Sequence, residues 1–150
     1  MANADSVGSL YLDSFSNGRL GVIKGTTLNT AGNAVITIPI LSGGLTNGGG
    51  VANSGGIIVR RVTIQNNSGN VSNANVSISV TSDGANLITA NTVLSAMTAV
   101  GRYVDINAAA PYTSNIVSGS ITQCLYVNIN AIANNGNTVD ICVYGDVEAF

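Results

Sequence analysis

The chain has 150 residues, which is one domain's worth, and a domain of that size hides roughly 70% of its extended-chain surface on folding, enough for a core without staples. Charged residues make up only 8% of it, against ~25% in an ordinary soluble domain; there is a single lysine, Lys24, a single glutamate, Glu148, and neither histidine nor tryptophan. A net charge of −2 with scattered arginines argues against a nucleic-acid partner, which needs a basic stripe, and the absence of histidine removes the commonest general base.

Residues 1–9 are small and polar and read as an N-terminal arm, with residues 10–150 as a single β domain. The arm lacks the charged and apolar regions of a signal peptide, so synthesis and first folding are expected in a cytoplasm. Leu10-Tyr11-Leu12 is a short candidate strand, followed by an Asn17-Gly18 turn and the stretch Leu20 to Lys24. In Ala34 to Leu41 the residues Ile36, Ile38 and Ile40 share a face, and Pro39, which cannot donate to a ladder, favours an edge or a strand end. This is the longest apolar run, far short of the ~20 residues that span a bilayer as a helix, so no membrane partner is expected.

Residues 42–56 form a glycine-rich stretch. It lacks the Gly-Lys-Ser/Thr of a phosphate-binding loop and the strand and helix of a dinucleotide fingerprint, and reads as a surface loop, or as a loop carrying Leu45 and Val51 across a neighbouring subunit. Ile57 to Gln65 is a strong strand whose apolar phase changes between Val59 and Val62, predicting a bulge at Arg60-Arg61 or a strand covered on both faces. That arginine pair is either a solvated strand end or a contact with carboxylates of another subunit. After a turn at residues 66–70, Val76, Ile78 and Val80 alternate with Ser77 and Ser79 in a strand that stops at Asp83-Gly84. Thr92 to Val100 reads equally as a short helix or a strand. Tyr103 to Ile106 is a strand, and residues 108–120 read as an irregular crossing.

The least ambiguous signal is at the end. Leu125, Val127 and Ile129 alternate with Tyr126, Asn128 and Asn130, and Val139, Ile141 and Val143 with Asp140, Cys142 and Tyr144, the period of half-buried strands. Read as a hairpin around Asn134-Asn135-Gly136, with Gly136 left-handed, they pair Ile129 with Ile141 and Val127 with Val143. That register sets Tyr126 beside Tyr144 and Asn128 beside Cys142, and leaves Cys124 roughly 13 Å from Cys142 at about 3.3 Å per residue, too far for a disulfide.

Some eight short strands between Gly/Asn turns predict an all-β protein, an antiparallel β-sandwich, and specifically an eight-stranded jelly roll. Chemistry finds few candidates. The cysteines have no base, and Asp140, Asp146 and Glu148 on or just past one strand lack a facing acidic strand, so no catalytic residue is expected and the chain reads as not an enzyme. Neither zinc nor calcium spacing occurs, so neither metal nor cofactor is expected; isolated Asp83 or Asp105, with carbonyls, is the one opening for a structural ion. The sequons at Asn66, Asn70 and Asn75 follow from Asn/Ser richness.

Low charge together with positive mean hydropathy predicts an oligomer whose subunits cover part of the surface. Candidate interface residues are Arg60, Arg61, Tyr126, Tyr144, Leu45 and Val51. The run Leu125-Tyr126-Val127-Asn128-Ile129, followed by Thr138-Val139-Asp140-Ile141-Cys142-Val143-Tyr144-Gly145, resembles the closing hairpin of small jelly-roll decoration, or cement, proteins of tailed-phage heads. The resemblance extends loosely over the chain in length, low charge and Asn/Gly/Thr richness. It implies a bacteriophage structural protein, a homotrimer located on the virion where subunits of the major capsid protein meet. The competing reading is a glycan- or receptor-binding β-sandwich of a phage fibre or lectin, using Tyr126 with Tyr144, or Tyr11 with Tyr103 and Tyr112, as an aromatic platform.

Overall fold

A computed structural model of the chain describes residues 18–40, 55–116 and 123–149. The expected arm, Leu10 to Leu12, and the glycine-rich stretch up to residue 54, with Leu45 and Val51, lie outside the described residues. The strands are β1 (Gly18–Thr27), β2 (Gly32–Ile40), β3 (Gly55–Gln65), β4 (Asn75–Ser79), β5 (Thr92–Val93), β6 (Val104–Ile116), β7 (Gln123–Ala131) and β8 (Thr138–Ala149).

All pairings are antiparallel, and they form two four-stranded sheets, β1-β8-β3-β6 and β5-β4-β7-β2. The hydrogen-bonded order runs from one sheet into the other through a single registered pair, Gly21 with Ile40. The protein is an antiparallel β-sandwich. Ile38, Val76, Ile78, Leu125 and Val127 of the second sheet and Val62, Ile64, Val139, Ile141 and Val143 of the first belong to one core, each at most 1% exposed. Burying a side chain of this kind contributes roughly 1.5–3 kcal/mol, and the alternation along each strand turns these residues to the side that faces the other sheet.

The closing hairpin is not formed. β7 pairs with β2 and β4, β8 pairs with β1 and β3, and the two strands lie in opposite sheets. Ile129 is opposite Gly32 and Val76, and Ile141 is opposite Ile23 and Ile64. Residues 132–137 arch over the end of the sandwich, where the Ala133 amide donates to the Leu28 carbonyl at 2.9 Å and both side chains are buried. The left-handed residue of this arch is Asn134, at φ 59°, rather than Gly136. Two apolar faces that meet across a core have the same periodicity as two that lie side by side, which is why the alternation alone suggested a hairpin. Tyr126 is therefore not beside Tyr144, nor Asn128 beside Cys142. The two cysteines are free, as expected, although it is their placement on opposite sheets that separates them.

The expected bulge is present. Val59 pairs with Gly145 and Arg61 with Tyr144, which leaves Arg60 as the extra residue. On the other side of β3 the register jumps from Tyr112 to Asn107, so residues 108–111, with Pro111, have no partner in β3. β6 is an edge strand, where proline costs no ladder bond, and it continues to Ile116 instead of ending in an irregular crossing at 108. Pro39 pairs with Cys124 on one side, and on the other side β2 meets β1 only at the next residue. Residues 92–100 form neither a helix nor a full strand: Thr92–Val93 pair with Val76 and Asn75, and turns follow. β4 stops at Ser79, one residue before Val80. Gly84 then takes φ 75° against the Asn33 side chain, where a Cβ would sit 2.7 Å from Asn33 Cγ.

Candidate interaction surfaces

The outer faces of the two sheets differ in kind. Every charged residue on a described strand belongs to one sheet: Arg19 and Lys24 on β1, Arg60 and Arg61 on β3, Asp105 on β6, and Asp140, Asp146 and Glu148 on β8. Strands β2, β4, β5 and β7 carry none.

On the charged sheet the β3 bulge decides the geometry. Val59 and Val62 both point into the core, so Arg60 and Arg61 between them both fall outside it. Arg61 Nε and Nη2 each reach Asp105 Oδ1 at 2.9 Å, and the Thr63 hydroxyl donates to the same oxygen at 2.8 Å. The guanidinium also lies 5.9 Å from the centroid of the Tyr144 ring, within cation–π range. Tyr144 stands between Arg61 on β3 and Arg19 on β1 in register. Next along β8, Cys142 is 2% exposed although it faces away from the core, and Gln65 Nε2 donates to its sulfur at 3.7 Å. Burial pushes the Cys142 thiol above its ordinary pKa and does the same to the Tyr144 phenol. A thiol held protonated is a poor nucleophile. At the far end of β8, Asp140 accepts from the Gly25 amide at 2.8 Å and from Asn66 Nδ2 at 2.9 Å.

The uncharged sheet has amides and hydroxyls in the same positions. Asn128 is 2% exposed; its Oδ1 accepts from the Ala34 amide at 2.9 Å and its Nδ2 donates to Ser79 Oγ at 3.0 Å. Ser79 Oγ donates onward to the Thr81 carbonyl at 2.9 Å. Asn130 Nδ2 donates to Asn91 Oδ1 at 3.1 Å, and the Ile78 amide donates to Thr89 Oγ1 at 2.9 Å. The β4–β5 connection bends over this face, held by Asn33 Nδ2 on the Asp83 carbonyl at 2.7 Å. Asp83 Oδ1 in turn accepts from Thr81 Oγ1 and the Ala85 amide, which lowers its pKa. Leu87 and Val93 stay about half exposed at the sheet's edge, and Leu87 lines an open depression with Val80, Ala85, Asn86 and Ile88.

Four connections meet at one end of the sandwich: 28–31, 66–74, 94–103 and 132–137. Asparagine side chains stitch them together. Asn135 donates through Nδ2 to the Asn70 carbonyl at 2.6 Å and through its amide to Asn29 Oδ1 at 3.1 Å. Asn67, 1% exposed, donates to the Gly69 and Ala99 carbonyls at 2.6 and 2.7 Å and accepts the Arg102 amide at 2.7 Å. Its backbone carbonyl takes the Gly101 amide at 3.1 Å. Above this anchor, Val100 is 71% and Tyr103 64% exposed.

Of the residues marked out from the sequence, Arg60, Arg61 and Tyr144 come together on the charged face, while Tyr126 stands on the opposite outer face, beside Thr37 and Ser79. Asp105 stood out only as a possible ligand of a structural ion and not as the partner of Arg61, because that pairing crosses from β3 to the edge strand β6. Nor was Asn67, whose role follows only from its burial. Among the described residues no group of three His, Cys, Asp or Glu side chains converges as for a metal ion. Comparison with protein-family models, characterised proteins and solved structures finds no match to the chain.

Proposed function

We propose that the chain is a non-enzymatic viral structural protein, a decoration or cement subunit that seats as a homotrimer where subunits of a phage's major capsid protein meet. The observation that carries this is the division of charge: among the described strands, one sheet has all the charged residues and the other has none. Interface centres are depleted in charge, because an ion buried without excellent pairing costs several kcal/mol. Beyond the part that the β4–β5 connection and its Asp83 already cover, a sheet face of hydroxyls and amides can be covered by another subunit without that cost. The strand order supports a jelly roll. The sheets β1-β8-β3-β6 and β2-β7-β4-β5 are linked by four crossings at one end, the pattern of paired Greek keys. Three copies held together act as one ligand, so modest contacts add to near-permanent attachment.

The test is to purify the chain, measure its mass by light scattering, and add it to phage heads assembled without it. A trimer that binds and raises the heads' thermal and osmotic stability is the expected result; absence of binding, or binding with no gain in stability, refutes the reading. The glycan-binding alternative loses its first aromatic platform, since Tyr126 and Tyr144 stand on opposite outer faces.

A further inference from the structure

The connection after β5 carries a side-chain set that the core does not use. Val100, Arg102 and Tyr103 are all exposed. Yet the backbone beneath them is fixed by two hydrogen bonds to the buried Asn67 side chain, one onto the Ala99 carbonyl and one from the Arg102 amide, and by a third from the Gly101 amide to the Asn67 carbonyl. An exposed valine and tyrosine on a held backbone give up little conformational entropy when covered, which is the condition for a binding hot spot. Charge defines the partner. Across connections 28–31, 66–74, 94–103 and 132–137 the only charged residue is Arg102, and it makes no ion pair among the described residues. The carboxylates nearest in sequence and at this end, Asp105 and Asp140, are occupied by Arg61 with Thr63 and by Gly25 with Asn66.

We infer that the Val100–Tyr103 knuckle is the docking point for a protein partner that offers a carboxylate to Arg102 beside an apolar recess for Tyr103 and Val100. This rests on the decoration reading and names the contact through which the subunit grips its particle. A protein fits better than a sugar. A sugar site needs unspent amides around the ring, and both ends of the Asn67 side chain, with Asn66 Nδ2, are already committed within the chain.

The experiment compares the full chain with Arg102→Glu, Tyr103→Ala and, as a charge control on β1, separated from β6 by β8 and β3 in the same sheet, Lys24→Glu, each first shown to melt like the parent, for retention on heads assembled without the chain. Arg102→Glu and Tyr103→Ala should each weaken retention at least tenfold, Lys24→Glu less than twofold, and raised salt should weaken the parent but not Arg102→Glu. If the parent binds and both knuckle variants bind equally well, or if Lys24→Glu loses as much as Arg102→Glu, the knuckle is not the contact while the decoration reading stands. If the parent does not bind, that reading falls and takes this partner with it. Specific glycan-array binding lost in Tyr103→Ala would also overturn the inference, in favour of a sugar.

Discussion

The two sheets bring equally apolar inner faces to the core but hold their outer faces by different means. On β1-β8-β3-β6 the long strands are joined by ladder bonds along most of their length, and the outer face carries ion pairs such as Arg61 with Asp105, which solvent reaches and salt screens. On β5-β4-β7-β2 the two strands at one edge, β4 and β5, are short, and a buried amide and hydroxyl network around Asn128 and Ser79 ties the covering connections down. A charge-poor surface is thus not a weakly organised one. Where ions are missing, neutral hydrogen bonds do the fixing, and because they are buried each is costly to lose.

Four substitutions would sharpen or break that contrast. The largest effect is expected at Gly145, where β8 passes so close to the β3 bulge that a Cβ would collide with the Ile58 carbonyl. Gly145→Ala should cost at least about 3 kcal/mol in chemical denaturation, since backbone rather than a flexible side chain has to move. Next, Asn128→Ala leaves the part-buried Ala34 amide without its acceptor and the buried Ser79 oxygen without the donor it accepts from, though Ser79 keeps its bond to the Thr81 carbonyl, and should cost about 2–3 kcal/mol, unaffected by salt. A loss below 1 kcal/mol would show that water replaces the amide and that the neutral face is held as loosely as the charged one.

The third concerns pH. Because the folded Cys142 pKa is raised above its unfolded value, the thiol's contribution is fully present below the unfolded pKa and lost as pH rises through the folded one, when a thiolate would have to be buried. Cys142→Ala should therefore flatten the alkaline limb of the stability profile, with Tyr144, raised in the same direction, supplying what slope remains. An unchanged limb would rule out this linkage. The smallest effect is at Arg61→Ala, whose partner Asp105 is 32% exposed: about 0.5–1 kcal/mol at low salt, shrinking at high salt. Equal losses for Arg61→Ala and Asn128→Ala would erase the distinction between the faces.

Much of the fold was legible in the residues. The period of two in β3, β4, β7 and β8 predicted strands that exist, and the phase change between Val59 and Val62 located the bulge, because only an extra residue keeps both valines inward. Partner strands were not legible. Leu125 to Ile129 and Val139 to Val143 are close in sequence and have matching faces, yet they oppose each other across the core. The candidate surfaces followed the same division. Arg60 and Arg61 stood out as the only clustered charge, whereas Asn67 is one asparagine among many until its burial shows it holding the Val100–Tyr103 connection. Tyr126 and Tyr144, paired by the hairpin register, were assigned to one face and stand on two.

What the sequence determined by itself is the class of the protein: alternation fixes strands, Gly and Asn fix where they stop, and too few ions and no histidine limit the available chemistry. What the tertiary structure alone decided is which strands are neighbours, and therefore that the charge on the described strands gathers on one sheet. The physical reason is that side-chain alternation specifies which way a residue faces, inward or outward, and nothing about which strand lies alongside. That choice is made by long-range packing, and in this chain every crossing from one sheet to the other moves the next strand from a charged face to a neutral one, or back.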